Sequence, residues 1–273
     1  MSSIESTPGK KHVGLEGVNT VWGVDGVIVV NLDRRPDRWA VFQEVWRDHL
    51  PWDRVVRLSA SDGQLLPGFG QAPWFRGRKR DRTWAGRAGC TLSHARAMRE
   101  ARRRGWKRIL VMEDDALPAG DSGALAAVLS TTDWDLLYLG CREPIGVAAE
   151  AVGGTMPIHG GLDTHAYAVT EPLRDWLIAQ LPSEANVWGW VARERAIDRW
   201  MRREIGRRFR VRLCQPQLAV QADDVSDITQ RREGAYSSPE GERSVVRRPS
   251  ELGRIGEIAA DRVRATLKQA VGF

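Results

Sequence analysis

Two short, unbroken apolar runs, GVIVVN at residues 26–31 and ILVM at residues 109–112, constrain the fold more than any other feature. A strand with one wet face alternates apolar and polar residues. A strand covered by helices on both faces reads instead as a continuous aliphatic run, which is the pattern of a parallel sheet. Each run borders a helix pattern. After the first, Pro36 suits an initial helical position, and Trp39, Phe42, Val45, Trp46 and Leu50 recur at three- and four-residue steps. Before the second, a helix is predicted over about 88–104, ending at Gly105. Residues 55–60 (VVRLSA) fit another strand, closed by the turn pair Asp62-Gly63. Segments over 136–139, 165–169, 172–181 and 193–205 continue the alternation. The expected class is therefore α/β, with an open, mostly parallel sheet flanked by helices. Residues 65–87, rich in Gly, Arg and Trp and without a period, read as a long loop.

The flanks differ from this centre. Residues 1–25 show no sustained periodicity and are expected to form a flexible N-terminal arm. After residue 237 the chain is polar and Arg-rich until Leu252, Ile255, Ala259, Val263 and Leu267 mark one face of a C-terminal amphipathic helix, with Ser250 as its cap. No apolar run approaches the roughly 20 residues of a bilayer span, and MSSIESTPGKK lacks the apolar stretch of a signal peptide. Cys90, Cys141 and Cys214 match neither a disulfide framework nor a zinc-ligand spacing. The cytoplasm is the expected compartment. The net charge of +6 comes from Arg clusters at 76–82, 102–108, 202–212 and 243–254, which suit either an anionic partner or solvated helix faces. No RNP, zinc-finger or helix-turn-helix pattern accompanies them, so nucleic acid is not an expected partner.

Glu113-Asp114-Asp115 follows directly on the ILVM strand. In open α/β sheets the ligand crevice lies beyond the carboxyl ends of the strands, so the triplet is placed to face a site. Side chains alternate along extended backbone, which predicts Glu113 and Asp115 on one side and Asp114 on the other. Crowded carboxylates raise one another's pKa unless a cation neutralises them. Oxygen ligation suits Mn²⁺ or Mg²⁺, which completes its shell with waters and substrate phosphates, so a nucleoside diphosphate is the expected ligand. The bland alternative is a solvated turn whose acids cap a helix.

Several segments then resemble glycosyltransferase family 25, the lipopolysaccharide and procollagen galactosyltransferase type, in the family's order. VVNLDRRPDRW looks like its opening strand, with Asn31, Leu32, Asp33 and Arg38 in register. GCTLSHARAM is similar to its Gly-Cys…Ser-His signature, through Gly89, Cys90, Ser93 and His94. MEDDA, DLLYLG, THAYAVT and AIDRWM follow, with QADDVSDI as a weaker match. The resemblance covers residues 27–200 and places the family-like domain at 26–236, with a basic tail and helix over 237–273. It implies a GT-A-like Rossmann-type sheet with a C-terminal helical extension. The implied reaction is inverting transfer of a hexose, galactose or glucose, from a UDP-sugar to the hydroxyl of a glycan, lipid-linked or small-molecule acceptor. By the same resemblance Glu113 and Asp115 correspond to the metal and diphosphate carboxylates, while Asn31, Leu32, Arg38 and Asp114 frame the nucleoside. Ser93 and His94 contact the donor or act as a helix-start capping pair. Adjacent helical residues point apart, so this pair is not a nucleophile relay. One departure is Arg87, where the family commonly carries an acid before the Gly-Cys pair.

Inverting transfer needs a base for the acceptor hydroxyl, and the resemblance points to Asp198 in AIDRWM; the bland alternative is a surface pair with Arg202. Asp223 and Asp224, before Ser226 and Asp227, are other bases or a third metal ligand. Tyr167 and His165 lie on the strand that the family uses near its acceptor. Among the twelve tryptophans, Trp188 and Trp190, with Trp74 or Trp84 in the long loop, are candidates to stack on a sugar. A nucleotidyltransferase is the rival enzyme class, disfavoured because VVNLDRRPDR has no Gly-rich phosphate loop. A non-enzymatic basic module binding anionic lipid or RNA leaves the three acids without a purpose. The basic C-terminal helix suggests peripheral contact with an anionic membrane, at the inner face, beside a lipid-linked acceptor.

Overall fold

The computed structural model describes residues 22–75, 81–146, 150–222 and the single position 263. The expected C-terminal helix, apart from Val263, lies outside the described residues, as do Asp223, Asp224, Ser226, Asp227, Ser250 and most of the N-terminal arm.

The described chain runs β1 (Gly26–Asn31), α1 (Pro36–Val45), β2 (Val55–Ser59), α2 (Asp81–Arg103), β3 (Arg108–Glu113), β4 (Ala116–Pro118) and α3 (Ser122–Ser130). There follow β5 (Leu136–Tyr138), β6 (Arg142–Ile145), β7 (Thr155–Ile158), β8 (Gly160–Leu162), β9 (Ala166–Thr170), α4 (Glu171–Gln180), α5 (Val187–Glu194), α6 (Ile197–Glu204), β10 (Val211–Cys214) and β11 (Ala219–Gln221). A seven-stranded sheet has the order β2-β1-β3-β9-β5-β10-β7. β1 pairs in parallel with β2 and β3, and β5 with β10, while β9 runs against both its neighbours and β7 against β10. This is the α/β, mostly parallel arrangement expected. Two antiparallel pairs, β4 with β11 and β6 with β8, sit beside it.

The unbroken apolar runs work as predicted, because successive side chains enter two cores. Ile28, Val30, Ile109, Val111, Tyr167 and Val169 face α2, α4, α5 and α6. Val27, Val29, Leu110, Met112, Ala166 and Ala168 face α1 and α3, where Phe42, Trp46, Leu129 and Trp134 fill the layer. Burying each such aliphatic or aromatic side chain contributes about 1.5–3 kcal/mol. Trp46 also ties α1 to the far end of β3, donating its indole N–H to the Ala116 carbonyl at 2.7 Å.

Three expectations are corrected. Order begins before Gly26: Val24 is buried, and Asp25 accepts the Lys107 and Arg108 amides at 2.6 and 2.9 Å. The helix before β3 starts at Asp81, not near 88, so Trp84 is a buried helical residue packed on Phe75 and not part of a loop. Gly86 and Gly89 weaken the helix signal by about 1 kcal/mol each, but burial of Trp84, Ala85 and Ala88 overrides it. The segment 193–205 is two helices, since Arg195 adopts φ 77° and ψ −58° and turns the chain between α5 and α6.

Because Trp46 is fully buried with its N–H satisfied, Trp46→Ala is expected to destabilise the protein by about 3–5 kcal/mol in urea unfolding. A loss below about 1 kcal/mol would show that α1 does not anchor the end of β3.

Candidate functional site

The carboxyl ends of β1 and β3 and the middle of α2 enclose a cleft. Its walls include Val30 of β1, Leu32 and Arg34 after it, Arg38 on α1, Asp62 to Gln64 after β2, and Gly86, Gly89, Cys90, Ser93 and His94 on α2. Glu113, Asp114, Asp115 and Gln221 close it. The approach of residues 61–63 to α2 depends on two glycines: a Cβ on Gly89 would meet the Ser61 carbonyl at 2.4 Å, and one on Gly63 the Ala85 carbonyl at 1.7 Å. Ser93 fastens the same contact, donating to the Gly89 carbonyl at 2.7 Å and accepting the Ser61 amide at 2.9 Å.

All three acids open onto this one cleft, so the predicted division of Asp114 from its neighbours is corrected. The chain turns after Glu113, and strand alternation stops there. Glu113 accepts from the Thr164 hydroxyl at 2.6 Å and lies 3.3 Å from His94 Nε2, whose Nδ1 is 2.8 Å from the Tyr167 hydroxyl. Asp114 accepts from Asn31 Nδ2 at 2.6 Å and from Arg38 at 3.3 Å. Asp115 accepts from Gln221 Nε2 at 3.1 Å and lies 3.7 Å from Arg38. Its other oxygen, Oδ1, is buried with no hydrogen-bond partner. Asn31 is itself fixed, accepting from Arg57 at 2.8 Å and donating to the Arg35 carbonyl at 3.0 Å.

These partners separate the acids electrostatically. Burial pushes Glu113 up, but the His94 hydrogen bond and charge and the Thr164 hydroxyl more than offset it, and its carboxyl ends below the usual range. Burial raises Asp114 despite Asn31 and Arg38. Asp115 is pushed up to about 7, first by burial and then by the charges of Glu113 and Asp114. Cys90, His94 and Glu113 also offer ligand atoms within 4.8 Å of one another. Burial, then Glu113 and Asp198, raise the Cys90 thiol, which favours its protonated form, while His94 and Glu113 already bond each other. The unpartnered oxygen of Asp115 among carboxylates is the better fit to a hard divalent cation such as Mn²⁺ or Mg²⁺.

Of the other expected site residues, Ser93 and His94 line the cleft, whereas Tyr167, Trp188, Trp190 and Asp198 do not. Ser93 and His94 are mid-helix, not a helix-start capping pair, because α2 begins twelve residues before Ser93. Tyr167 is buried behind His94, and His165 is buried with Nε2 3.3 Å from the Ala219 carbonyl. Trp188 and Trp190 are core residues: Trp188 packs on Phe75 and donates to the Pro67 carbonyl at 2.7 Å, and Trp190 packs on Trp200. Neither lines the cleft, and both are buried against different neighbours of α5. Asp198 does not pair with Arg202, which faces Glu143 at 3.6 Å. Its carboxylate accepts the Arg199 amide at 2.7 Å and the Asp163 amide at 3.5 Å, and burial raises its pKa. It is not among the residues lining the cleft, and lies close enough to Cys90 for its charge to act on the thiol. The sequence reading missed Thr164 and Gln221 as partners of the acids; Thr164 opens THAYAVT, and Gln221 opens QADDVSDI, so both segments had been singled out.

No family model matches the chain. Curated relatives do match, and all carry family 25 names. The Probable inactive glycosyltransferase 25 family member 3 of Bos taurus is 32% identical over 150 residues, 50% of this chain and 24% of that protein. The Inactive glycosyltransferase 25 family member 3 of Homo sapiens is 34% identical over 141 residues, 44% of this chain and 22% of that protein. The Probable inactive glycosyltransferase 25 family member 3 of Rattus norvegicus is 32% identical over 187 residues, 59% of this chain and 31% of that protein. The chain thus spans less than a third of the length of each of these relatives. Among the described residues no helix is long and apolar enough to cross a membrane.

The raised Asp115 predicts a pH dependence. Between 3.8 and about 7 the unfolded chain has released this proton and the folded one has not, so metal-free stability falls as pH rises through that window and levels above it. In chelator, Asp115→Asn is expected to melt above the wild type at pH 8, with the gap narrowing as pH falls and closing only near 3.8 and below, read by thermal denaturation. Parallel curves at all pH values would contradict the raised carboxyl.

Proposed function

We propose that this chain is a family 25 glycosyltransferase that moves a hexose, galactose or glucose, from a UDP-sugar to an acceptor hydroxyl with inversion and with Mn²⁺ or Mg²⁺. The observation that carries the reading is the convergence of Glu113, Asp114 and Asp115 on one cleft at the carboxyl end of β3, with the Asp115 Oδ1 atom buried and unpartnered. Similarity to family 25 proteins supports the reaction class.

Leu32 and Val30 offer an apolar wall for the nucleoside, and Asn31 and Arg38 hold Asp114 in place beside it. Asp115 and Glu113 are the metal carboxylates in this reading, with Gln221 and Thr164 fixing their outer oxygens. A divalent ion bound there supplies charge neutralisation for the diphosphate leaving group. His94, tethered by Tyr167, holds Glu113 ionised and oriented. Asp198 is the base of this scheme, its proton affinity raised by burial and its carboxylate held by the Arg199 and Asp163 amides. The basic C-terminal segment belongs to the same proposal as a peripheral contact with an anionic membrane at its cytoplasmic face.

The names of the relatives favour a second reading, a nucleotide-binding protein without transfer. Incubation with UDP-galactose or UDP-glucose and Mn²⁺, following UDP release, separates the two. Transfer predicts chelator-sensitive release that Asp115→Ala lowers at least about a hundredfold. Asp198→Asn is expected to lower turnover while Mn²⁺-dependent UDP binding persists. UDP-sugar binding with no release supports the second reading, and release indifferent to chelator and to Asp115→Ala overturns the site.

A further inference from the structure

The α2 wall of the cleft carries ligand atoms of a kind that the acidic triplet lacks. Cys90 and His94 are four residues apart on α2, a spacing that puts two side chains on one helix face, and both line the cleft together with Glu113 at the end of β3. A thiol sulfur, an imidazole nitrogen and a carboxylate oxygen from these three residues lie within 4.8 Å of one another. A tetrahedral ion with bonds of about 2.0–2.3 Å holds its ligand atoms roughly 3.3–3.8 Å apart, so the set closes on one ion with side-chain movement of about 1 Å. The sulfur is also within reach of the cleft, since Cys90 is half-buried whereas Cys141 and Cys214 are buried.

The residues behind these three suit a metal-binding set. His94 Nε2 faces Glu113 Oε1 at 3.3 Å, while Nδ1 lies 2.8 Å from the buried Tyr167 hydroxyl. With Nε2 on an ion, the single proton of a neutral imidazole sits on Nδ1 and is donated to the Tyr167 oxygen, which fixes both tautomer and ring plane. The Thr164 hydroxyl also bonds Glu113 Oε1, at 2.6 Å, so one carboxylate oxygen stays tethered when the other turns to an ion. Charge balances too: the thiolate and the carboxylate each bring one negative charge, and a dication leaves the set neutral. In the metal-free chain burial holds the thiol protonated, and the entering ion displaces that proton to solvent. Sulfur and imidazole select a softer ion than carboxylates do, Zn²⁺ in place of Mn²⁺ or Mg²⁺.

We propose that Cys90, His94 and Glu113 form a Zn²⁺ site on the α2 wall, its fourth position open to the cleft, and that Zn²⁺ held there withdraws Glu113 from the hard cation beside Asp115. Three protein ligands with one open position is the arrangement of an ion that also takes a water or a ligand oxygen. Zn²⁺ is then an inhibitor of the cleft, acting through a carboxylate that the two ions share. The competition rests on the metal-dependent transfer reading; the Zn²⁺ site does not.

The full chain, reduced and freed of metal, is titrated with Co²⁺ as a spectroscopic substitute for Zn²⁺, and the sulfur-to-cobalt charge-transfer absorption is recorded. Zn²⁺ is expected to abolish the band by displacement. Cys90→Ser, which keeps the shape of the side chain, is expected to lose the band and to weaken Zn²⁺ at least about tenfold. Tyr167→Phe, which keeps the packing and removes only the hydroxyl, is expected to weaken Zn²⁺ about tenfold. Asp115→Asn is expected to keep the band, and circular dichroism checks that each variant is folded. No band in the wild type, or a band that survives Cys90→Ser and so belongs to Cys141 or Cys214, overturns the site. A band lost in Asp115→Asn overturns it as well, by assigning the ion to the acidic triplet. Zn²⁺ is expected to weaken Mn²⁺-dependent UDP binding in the wild type and not in Cys90→Ser; UDP binding indifferent to Zn²⁺ overturns the sharing of Glu113. A Cys90-dependent band in a protein that does not bind UDP supports the site and counts only against the transfer reading.

Discussion

The mutual repulsion of Glu113, Asp114 and Asp115 is the constraint around which the carboxyl end of the sheet is organised. Each acid has its own restraint, and each restraint comes from a different element. His94 on α2 and Thr164 before β9 hold Glu113, Asn31 at the end of β1 holds Asp114, and Gln221 on β11 holds Asp115. Arg38 on α1 reaches two of them. The restraints leave one buried carboxylate oxygen unmatched, and an oxygen-seeking cation is the simplest group to complete the set.

That division of labour explains why neighbouring packing is tight where it touches the cleft. Trp46 fixes the Ala116 carbonyl immediately after the acids, and Gly63 and Gly89 let backbone lie against backbone on the α2 side. The opposite side is built differently. Around Asp198 the chain turns through Arg195 at φ 77°, and the carboxylate is held by the Arg199 and Asp163 amides instead of by a cation.

Much of this was legible from the chain because it depends on local pattern. Unbroken aliphatic runs located β1 and β3 and the two cores they feed, and the acids could be located by their position at the end of β3. What was not legible depends on contacts distant in sequence. α2 extends to Asp81 because Trp84 and Ala88 are buried, against the weak propensity of Gly86 and Gly89. Asp114 shares the cleft with its neighbours because a turn interrupts the strand. Trp188 and Trp190 were candidates to stack on a sugar although most tryptophans are core residues, and the packing of α5 shows them to be core. Arg87 stood out in the sequence only as a departure from the resemblance, and that its charge meets those of Arg195 and Arg199 depends on helices over a hundred residues apart.

The most direct test of the account is a crystal structure grown with UDP and Mn²⁺, with the ion located by its anomalous scattering. The account predicts an anomalous peak within bonding distance, about 2.0–2.3 Å, of an Asp115 carboxylate oxygen and of a diphosphate oxygen, with Glu113 in or next to its shell. An ion bound with UDP elsewhere, leaving Glu113 and Asp115 untouched, would contradict it.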